Sequence, residues 1–393
     1  MKILLVTQYY YPERFSTTDI AEELVKLGHE VSVVTAKPCY GFDRIPKEYK
    51  KINFEIINGV KVHRVNILNR GKNAISLSLN YLSFHMNAKR YVKTLKEKFD
   101  VVLAISLSPV ISISPAIKFA KRNNIPCLLY CEDIWPESPV SAGMVKKESF
   151  IYKILLKWSK AIYSKIDNIM VSSPSFKEYF EDTLNVKDKG FRFIPQPSMD
   201  NNEYVSPVEF KDEHNIVYAG NIGALQQVDK LVKAMKLVEG VKLHILGSGS
   251  ELQNVLDLIK QEHLEDKVIY EGSYPLVIAE SFYKNADALV VSLKGDTVVG
   301  KTIPNKVVQY LKYVKPILGI IKGDGRDLLM NAKGSVISED DVESIASNIN
   351  HIVSLSKSEK ETMGKNNLTY FKENLELSKL VKDIEKELKE ATK

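Results

Sequence analysis

Cysteine is scarce. The 393-residue chain carries three, Cys39, Cys127 and Cys131. A sparse, odd set gives no disulfide framework and fits a reducing compartment. Cys127 and Cys131 fall in one apolar run, where buried packing is the expected role, and no further Cys or His cluster completes a metal site. The seven histidines, among them His29, His63, His85 and His244, show no HxxxH or His–carboxylate spacing, so no metal ligands are expected. Long apolar runs are missing as well: no stretch reaches the ~18–20 residues that cross a bilayer. The first apolar run, Ile3 to Val6, is too short for a signal-peptide core and no small-residue cleavage site follows it, so a cytoplasmic protein is expected. There is no GxGxxG and no Walker lysine, which counts against dinucleotide binding and P-loop hydrolysis. Charge of one sign is lacking too, with 55 basic against 49 acidic residues and a net +6. Without an RNP-type aromatic motif, a zinc finger or a basic arm, this balance speaks against nucleic acid. It points instead to anionic lipid or phosphate-bearing ligands.

What is present is a globular composition, 44% hydrophobic and 26% charged, in a chain long enough for two domains. Residues 2–6 read as a strand, a helical pattern follows at Ile20, Leu24 and Leu27, Gly28 ends it, and 30–35 is the next strand. The rhythm continues with strands at 60–65, 100–105, 126–131 and 168–172, and helices at 79–98, 110–123 and 150–165. Residues 193–210, with three prolines and little periodicity, read as an interdomain linker. A second alternation then begins, with strands at 216–219, 241–246, 268–271, 288–292 and 317–321 and helices at 228–238, 251–261, 276–284 and 304–313. Three helical patterns close the chain. The fold class expected is α/β: two Rossmann-like, doubly wound parallel-sheet domains facing across a cleft. The boundaries are 1–198 and 199–375, with a last helix over about 376–393 packing back on the first domain. Ligands in such sheets bind outside the carboxyl ends of the strands, so the loops after strands carry the candidates.

In the loop after the first strand, Ser16 or Thr17 can cap the following helix, whose N-terminus attracts an anion, and Arg14 can face a phosphate. In Tyr130–Ser138, Glu132, Asp133 and Glu137 follow a buried strand directly. Carboxylates there can accept sugar hydroxyls or act as a base, and Trp135 offers a flat apolar face. The alternative is that Glu137 and Ser138 only cap a helix. In Tyr218–Asp229, Gly220 and Gly223 allow close backbone approach, while Asn221 and Gln226 can donate to phosphate oxygens. Gly247, in Leu246–Glu251, more often relieves crowding than binds a ligand. In Gly300–Leu311, Thr302 or Ile303 precedes Pro304, a good first-turn residue. The free amides of that turn, with Lys306 and the upstream Lys301, make an anion site. Gln309, one turn after Asn305, can reach a ribose. Ser273, after the strand at 268–271, joins this donor-side set.

Together, QYYYPERFSTTDIAEEL with GHEV, EDIWPES, YAGNIGALQQVD, LGSGSE and TIPNKVVQYLKYVKPILGIIKGDG resemble the retaining, two-Rossmann-domain (GT-B) glycosyltransferases of family 4. The branch most similar includes bacterial O-antigen and capsule fucosamine or N-acetylfucosamine transferases. The likeness spans roughly residues 1 to 371, and the YAGNIG and PNK…QYL…KPIL blocks are specific in combination. The wider family has an Arg and a Lys, which normally hold the donor diphosphate, where this chain has Asn221 and Gln226. It has two glutamates where this chain has Lys301 and Gln309, and the second usually binds ribose. Its glycine-rich first turn is replaced by Arg14 to Thr18.

The resemblance implies a nucleotide-sugar donor, UDP-linked, carrying an N-acetylated amino or deoxy sugar, bound mostly by the C-terminal domain. It implies a lipid-diphosphate-linked saccharide acceptor on the N-terminal domain, transfer with retention, and no cofactor or metal. Thr302 to Lys306 then stabilise the leaving diphosphate, Glu132 or Asp133 positions the acceptor, and domain closure excludes water. The rivals are a GT-B-fold epimerase of UDP-amino sugars, whose paired carboxylates and histidine are not found, and a non-catalytic nucleotide-sugar-binding protein.

One amphipathic stretch bears on location. In Val145–Lys165, Phe150, Ile151, Ile154, Leu155, Trp158 and Ile162 share a helical face, and Lys146, Lys153, Lys157 and Lys160 lie largely off it. Either that face packs on a sheet, or the lysines and Trp158 meet an anionic membrane surface on the inner face of the cell membrane. The stretch Leu77–Lys98 is a second candidate.

Overall fold

The computed structural model describes residues 1–13, 15–42, 44–71, 73–198, 205–211 and 214–393. The chain divides into two compact units, Met1–Met199 with Leu377–Lys393, and Asp200–Glu376.

The first unit is built on strands β1 (Lys2–Val6), β2 (Glu30–Ala36), β3 (Phe54–Ile57), β4 (Val60–Val65), β5 (Val101–Ser106), β6 (Cys127–Cys131), β7 (Asn168–Val171) and β8 (Gly190–Phe193). They lie in the order β3-β4-β2-β1-β5-β6-β7-β8, and β3 alone is antiparallel to its neighbour. The central strands β1, β5 and β6 are nearly continuous runs of apolar, buried residues, as a parallel sheet covered on both faces requires. The β3–β4 hairpin turns on Asn58 and Gly59, both at positive φ, which is the two-residue turn that Asn-Gly favours. Its helices are α1 (Ser16–Lys26), α2 (Ala74–Thr94), α3 (Ser114–Asn123), α4 (Glu137–Ser141), α5 (Phe150–Tyr163) and α6 (Ser175–Glu178). Helix α2 starts earlier than its periodicity suggests because the Asn73 side chain accepts from Ser76 N at 2.8 Å. The pattern over 110–123 resolves into a single 3₁₀ turn, Val110–Ile113, followed by α3.

The second unit carries β9 (His214–Ala219), β10 (Val241–Leu246), β11 (Val268–Gly272), β12 (Ala288–Ser292), β13 (Ile317–Ile320) and β14 (Ser335–Ile337) in the order β11-β10-β9-β12-β13-β14, all parallel. Its helices are α7 (Val228–Ala234), α8 (Leu252–Gln261), α9 (Leu276–Asn285), α10 (Asn305–Tyr310), α11 (Asp324–Ala332), α12 (Val342–Ser354) and α13 (Lys357–Asn374). Residues expected to be linker pack here instead: Val208 N donates to Ser281 O at 3.0 Å, and the Phe210 ring lies 6.2 Å from that of Phe282. Helix α14 (Leu377–Ala391) belongs to the first unit. It buries Leu380, Val381, Ile384 and Leu388 in the cluster that holds Ile3, Leu5 and Leu24. His29 Nε2 meets Glu385 Oε1 at 2.7 Å on its flank.

The order of strands reverses between β1 and β5 in one unit, and between β9 and β12 in the other. Loops at such reversals leave a crevice at the carboxyl edge of the sheet.

Candidate active site

In the second unit the loop after β9, at the reversal, meets the loop after β10. Gly220 and Gly247 have φ of +136° and +130°. A Cβ on Gly247 would lie 1.9 Å from Gly220 O, so the two turns touch backbone to backbone. Beneath them Tyr218 is fully buried, and its hydroxyl donates to Asn221 O at 2.6 Å, closing the turn. Helix α10 comes up behind: the Tyr310 hydroxyl accepts from Ala219 N at 3.0 Å and donates to Ala219 O at 3.2 Å. These two hydrogen bonds fix α10 to the end of β9 and deliver Lys306. The Lys306 ammonium lies 3.9 Å from the centre of the Tyr218 ring, and a Cβ on Gly220 would stand 2.8 Å from it. Its Nζ is buried with no hydrogen-bond partner among the described residues. Burial lowers its pKa to about 7.

The other donor-side candidates divide. Asn221 Nδ2 donates to Gln226 Oε1 at 2.9 Å, so these two amides hold each other on the turn. Thr302 Oγ1 donates to Val299 O at 2.8 Å. Pro304 stands before the first turn of α10 as its cap position, not within it. Lys301, Asn305 and Ser273 are exposed. Gln309 is buried, and its amide donates to Glu280 Oε1 at 3.1 Å, so it does not stand open. Glu280 and Tyr310 were not legible as site residues, because their roles rest on partners far away in the sequence.

In the first unit, Glu132 and Asp133 follow β6, both backbone amides donating to Ser106 O at the end of β5. Glu132 is buried and accepts from Ser16 Oγ at 2.6 Å. Thr17 Oγ1 donates to Tyr9 O at 3.0 Å. Neither hydroxyl caps α1, whose cap position is Phe15 and carries no side-chain bond; both are spent tying the helix to the strand-end loops. Asp133 is half-buried. Burial raises the pKa of both carboxyls to about 7, with the Ser16 bond opposing the rise at Glu132. Trp135 Nε1 donates to Ser108 Oγ at 2.7 Å, which pins the indole between the loops after β5 and β6. Glu137 is buried between the Tyr152 and Tyr179 hydroxyls, at 2.6 and 2.8 Å, and is structural. Arg14 lies outside the described residues. Glu13, passed over in the sequence, accepts from the backbone N–H groups of Cys39 (2.7 Å) and Tyr40 (2.5 Å) and joins the loops after β1 and β2.

Helix α5 covers only part of the face its periodicity marks, with Ile154, Leu155 and Ile162 half-buried. Tyr152, Ser159 and Tyr163 are buried, while Phe150, Ile151 and Trp158 are 76%, 60% and 56% exposed. Lys146, Lys153, Lys157 and Lys160 are exposed beside them. Helix α2 likewise exposes Ile75, Leu79, Leu82 and Met86. On α3 the pKa of Lys118 is lowered, first by desolvation and then by Lys93, Lys89 and Arg122. Among the described residues no helix is long and apolar enough to cross a membrane.

Comparison with known proteins covers both units. Residues 15–197 match the family described as Glycosyltransferase Family 4, and residues 200–369 match Glycosyl transferases group 1. A probable glycosyltransferase of Pseudomonas aeruginosa, WbjE, is 23% identical over 339 residues, which are 82% of this chain and 81% of that one. Among solved structures, sucrose-phosphate synthase from Thermosynechococcus elongatus superposes with a TM-score of 0.73 at 17% identity, covering 99% of this chain and 98% of that one. Anabaena Alr3699/HepE in complex with UDP and glucose superposes with a TM-score of 0.70 at 12% identity, covering 99% of this chain and 100% of that one. These likenesses show the two-domain fold.

Proposed function

From the premise that the chain is a family 4 glycosyltransferase of the GT-B fold, we propose that it transfers a sugar from a UDP-linked donor to a lipid-diphosphate-linked saccharide, with retention. The second unit binds the donor. The observation that carries this is the buried Lys306 ammonium, without a hydrogen-bond partner among the described residues, set against Gly220 at the strand reversal, where the Gly247 turn touches it. A buried cation left unpaired is costly, and a diphosphate would satisfy it while using the glycine backbone for close approach. HepE, of the same fold, holds UDP. Asn221 and Gln226 stand where the wider family has charged residues, so Lys306 supplies the positive charge in their place.

In the reaction the bond from the anomeric carbon to the diphosphate breaks. The acceptor oxygen bonds to that carbon on the face the diphosphate leaves, and the acceptor's proton passes to a base. Lys306 offsets the charge that develops on the leaving oxygen. Asp133, half-buried and without a side-chain partner among the described residues, orients the acceptor hydroxyl and takes its proton; a pKa near 7 suits that task. The donor sugar is an N-acetylated amino or deoxy sugar, and the product belongs to surface polysaccharide.

The acceptor's lipid tail places the first unit on an anionic membrane surface. The exposed Phe150, Ile151 and Trp158 with their lysines support this, since apolar residues on a monomer's surface normally stand singly. A thermal-shift screen of wild-type and Lys306→Ala protein against UDP-, GDP- and TDP-sugars tests the reading. The wild-type midpoint should rise with UDP-sugars, and the variant's should rise less. Equal shifts in the two proteins would remove Lys306 from the site.

A further inference from the structure

The loops at the carboxyl ends of β1, β2 and β4 gather a cluster that the reading above leaves unused. Arg70, between β4 and α2, places its guanidinium carbon 4.9 Å from the ring centre of Tyr40, 5.5 Å from Tyr81 and 5.9 Å from Tyr9. Its Nη1 donates to the hydroxyls of Tyr9 at 2.5 Å and Tyr81 at 3.2 Å. Tyr9 stacks on Phe15 at 4.9 Å and meets Tyr40 edge-on at 5.5 Å. Among the described residues no carboxylate pairs with Arg70. The nearby Glu13 spends its oxygens on the N–H groups of Cys39, Tyr40 and Tyr10, and Arg64 on the same sheet edge is paired with Glu55 at 2.5 Å.

Arg70 is half-buried and, among the described residues, has one nitrogen engaged, by neutral hydroxyls, which leaves the rest of its donor fork open there. That planar fork matches a carboxylate or phosphate through two parallel bonds. Beside it Tyr40 is 47% exposed, and its aromatic ring is of the kind a sugar ring stacks on. The loops after β1 and β2 are held together by Glu13, so the platform is fixed before any ligand arrives.

We propose that Arg70, with Tyr40, Tyr9 and Tyr81, binds an anionic group of the acceptor saccharide, a phosphate or a carboxylate adjoining a sugar ring. The acceptor is then a charged sugar. This rests on the first unit being the acceptor-binding one. The competing role for the cluster is purely structural, a tie between loops. In that case substitution lowers the melting temperature and leaves anion binding unmoved.

The test is calorimetric titration of the full chain with glucose 1-phosphate, glucuronate and neutral glucose, at saturating UDP so that the second unit's phosphate site is filled. At least one charged sugar should bind and glucose should not, and the preferred anion separates a phosphate source from a sugar carboxylate. Arg70→Ala and Arg70→Lys should each weaken the charged sugar at least ten-fold, the lysine variant because it keeps the charge and loses the fork. Tyr40→Ala, at an exposed position, should weaken it too and covers the case in which Arg70→Ala does not fold. UDP affinity should be unchanged in all three, so the donor reading stands or falls separately. The proposal is overturned if neither charged sugar binds, if glucose binds equally well, or if folded Arg70 variants bind the charged sugar as wild type does.

Discussion

The Lys306 ammonium rests against Gly220: a methyl group built on that glycine would stand 2.8 Å from Nζ and 2.7 Å from Cε. The glycine and the lysine therefore form one unit, and substitutions on either side separate packing from charge. Gly220→Ala also places an L side chain at φ +136°. It should cost ~1–3 kcal/mol of stability and weaken UDP binding. Lys306→Met keeps the stem and removes a buried cation, so stability should hold or rise while UDP affinity falls. Denaturant unfolding beside UDP titration reads both quantities. A Lys306→Met protein that loses stability and keeps UDP affinity would make the lysine structural.

Titration of Lys306 gives opposite signs for binding and folding. Burial lowers its pKa from 10.5 to about 7, so above about pH 7 the free protein increasingly lacks the charge a diphosphate needs. UDP affinity should fall with rising pH, by up to about ten-fold per unit. Between the folded value and the unfolded one the unfolded chain binds the extra proton. This group's contribution to folding stability therefore grows with pH across that window and is lost as pH falls through about 7. Calorimetry over a pH series checks the first sign and unfolding of wild type against Lys306→Met the second. Flat UDP affinity through neutral pH contradicts the account.

The carboxylates after β6 are separated by conservative amides. Asp133→Asn should lower turnover ~10²-fold or more if Asp133 takes the acceptor proton. Glu132→Gln keeps an oxygen for Ser16 and should cost less. With its pKa raised by burial to about 7, Asp133 should make wild-type turnover fall as pH drops below that value. If both variants turn over normally at saturating substrates, the loop is structural.

How far the sequence reveals this molecule depends on whether the information is local. The parallel alternation is legible because buried strands such as β5 and β6 are almost wholly apolar. Edge strands escape notice: β8 (GFRF) is largely exposed and β14 has three residues, so neither has apolar contrast. Helical periodicity tells which residues of α5 share a face and not how much of it is covered: Ile154, Leu155 and Ile162 are half-buried while Phe150, Ile151 and Trp158 stay exposed. The strand-end motifs also drew attention to Gly220, Lys306, Glu132 and Asp133. The Tyr218 ring under Lys306, the Tyr310 clasp on Ala219 and the Arg70 cluster join residues distant in sequence, and no local pattern announces them.

Vesicle co-sedimentation tests the exposed face of α5. Binding should require anionic lipid and fall with salt. It should drop when Lys146, Lys153 and Lys157 become Gln, at ~1 kcal/mol per lysine. Lys147 is left in place because its Nζ lies 3.9 Å from the buried Glu137. Phe150→Ser with Trp158→Ser should weaken binding at all salt concentrations. Wild-type protein that ignores anionic vesicles at low salt contradicts membrane docking, and a soluble acceptor becomes the better reading.

The central claim is that the Lys306 ammonium is the cation awaiting the donor diphosphate, and calorimetric titration of UDP into wild-type and Lys306→Ala protein tests it most directly. The account predicts one UDP per chain and a loss of ~1–3 kcal/mol in the variant, the range of a charge-assisted hydrogen bond. Unchanged UDP affinity in a folded Lys306→Ala protein would contradict it.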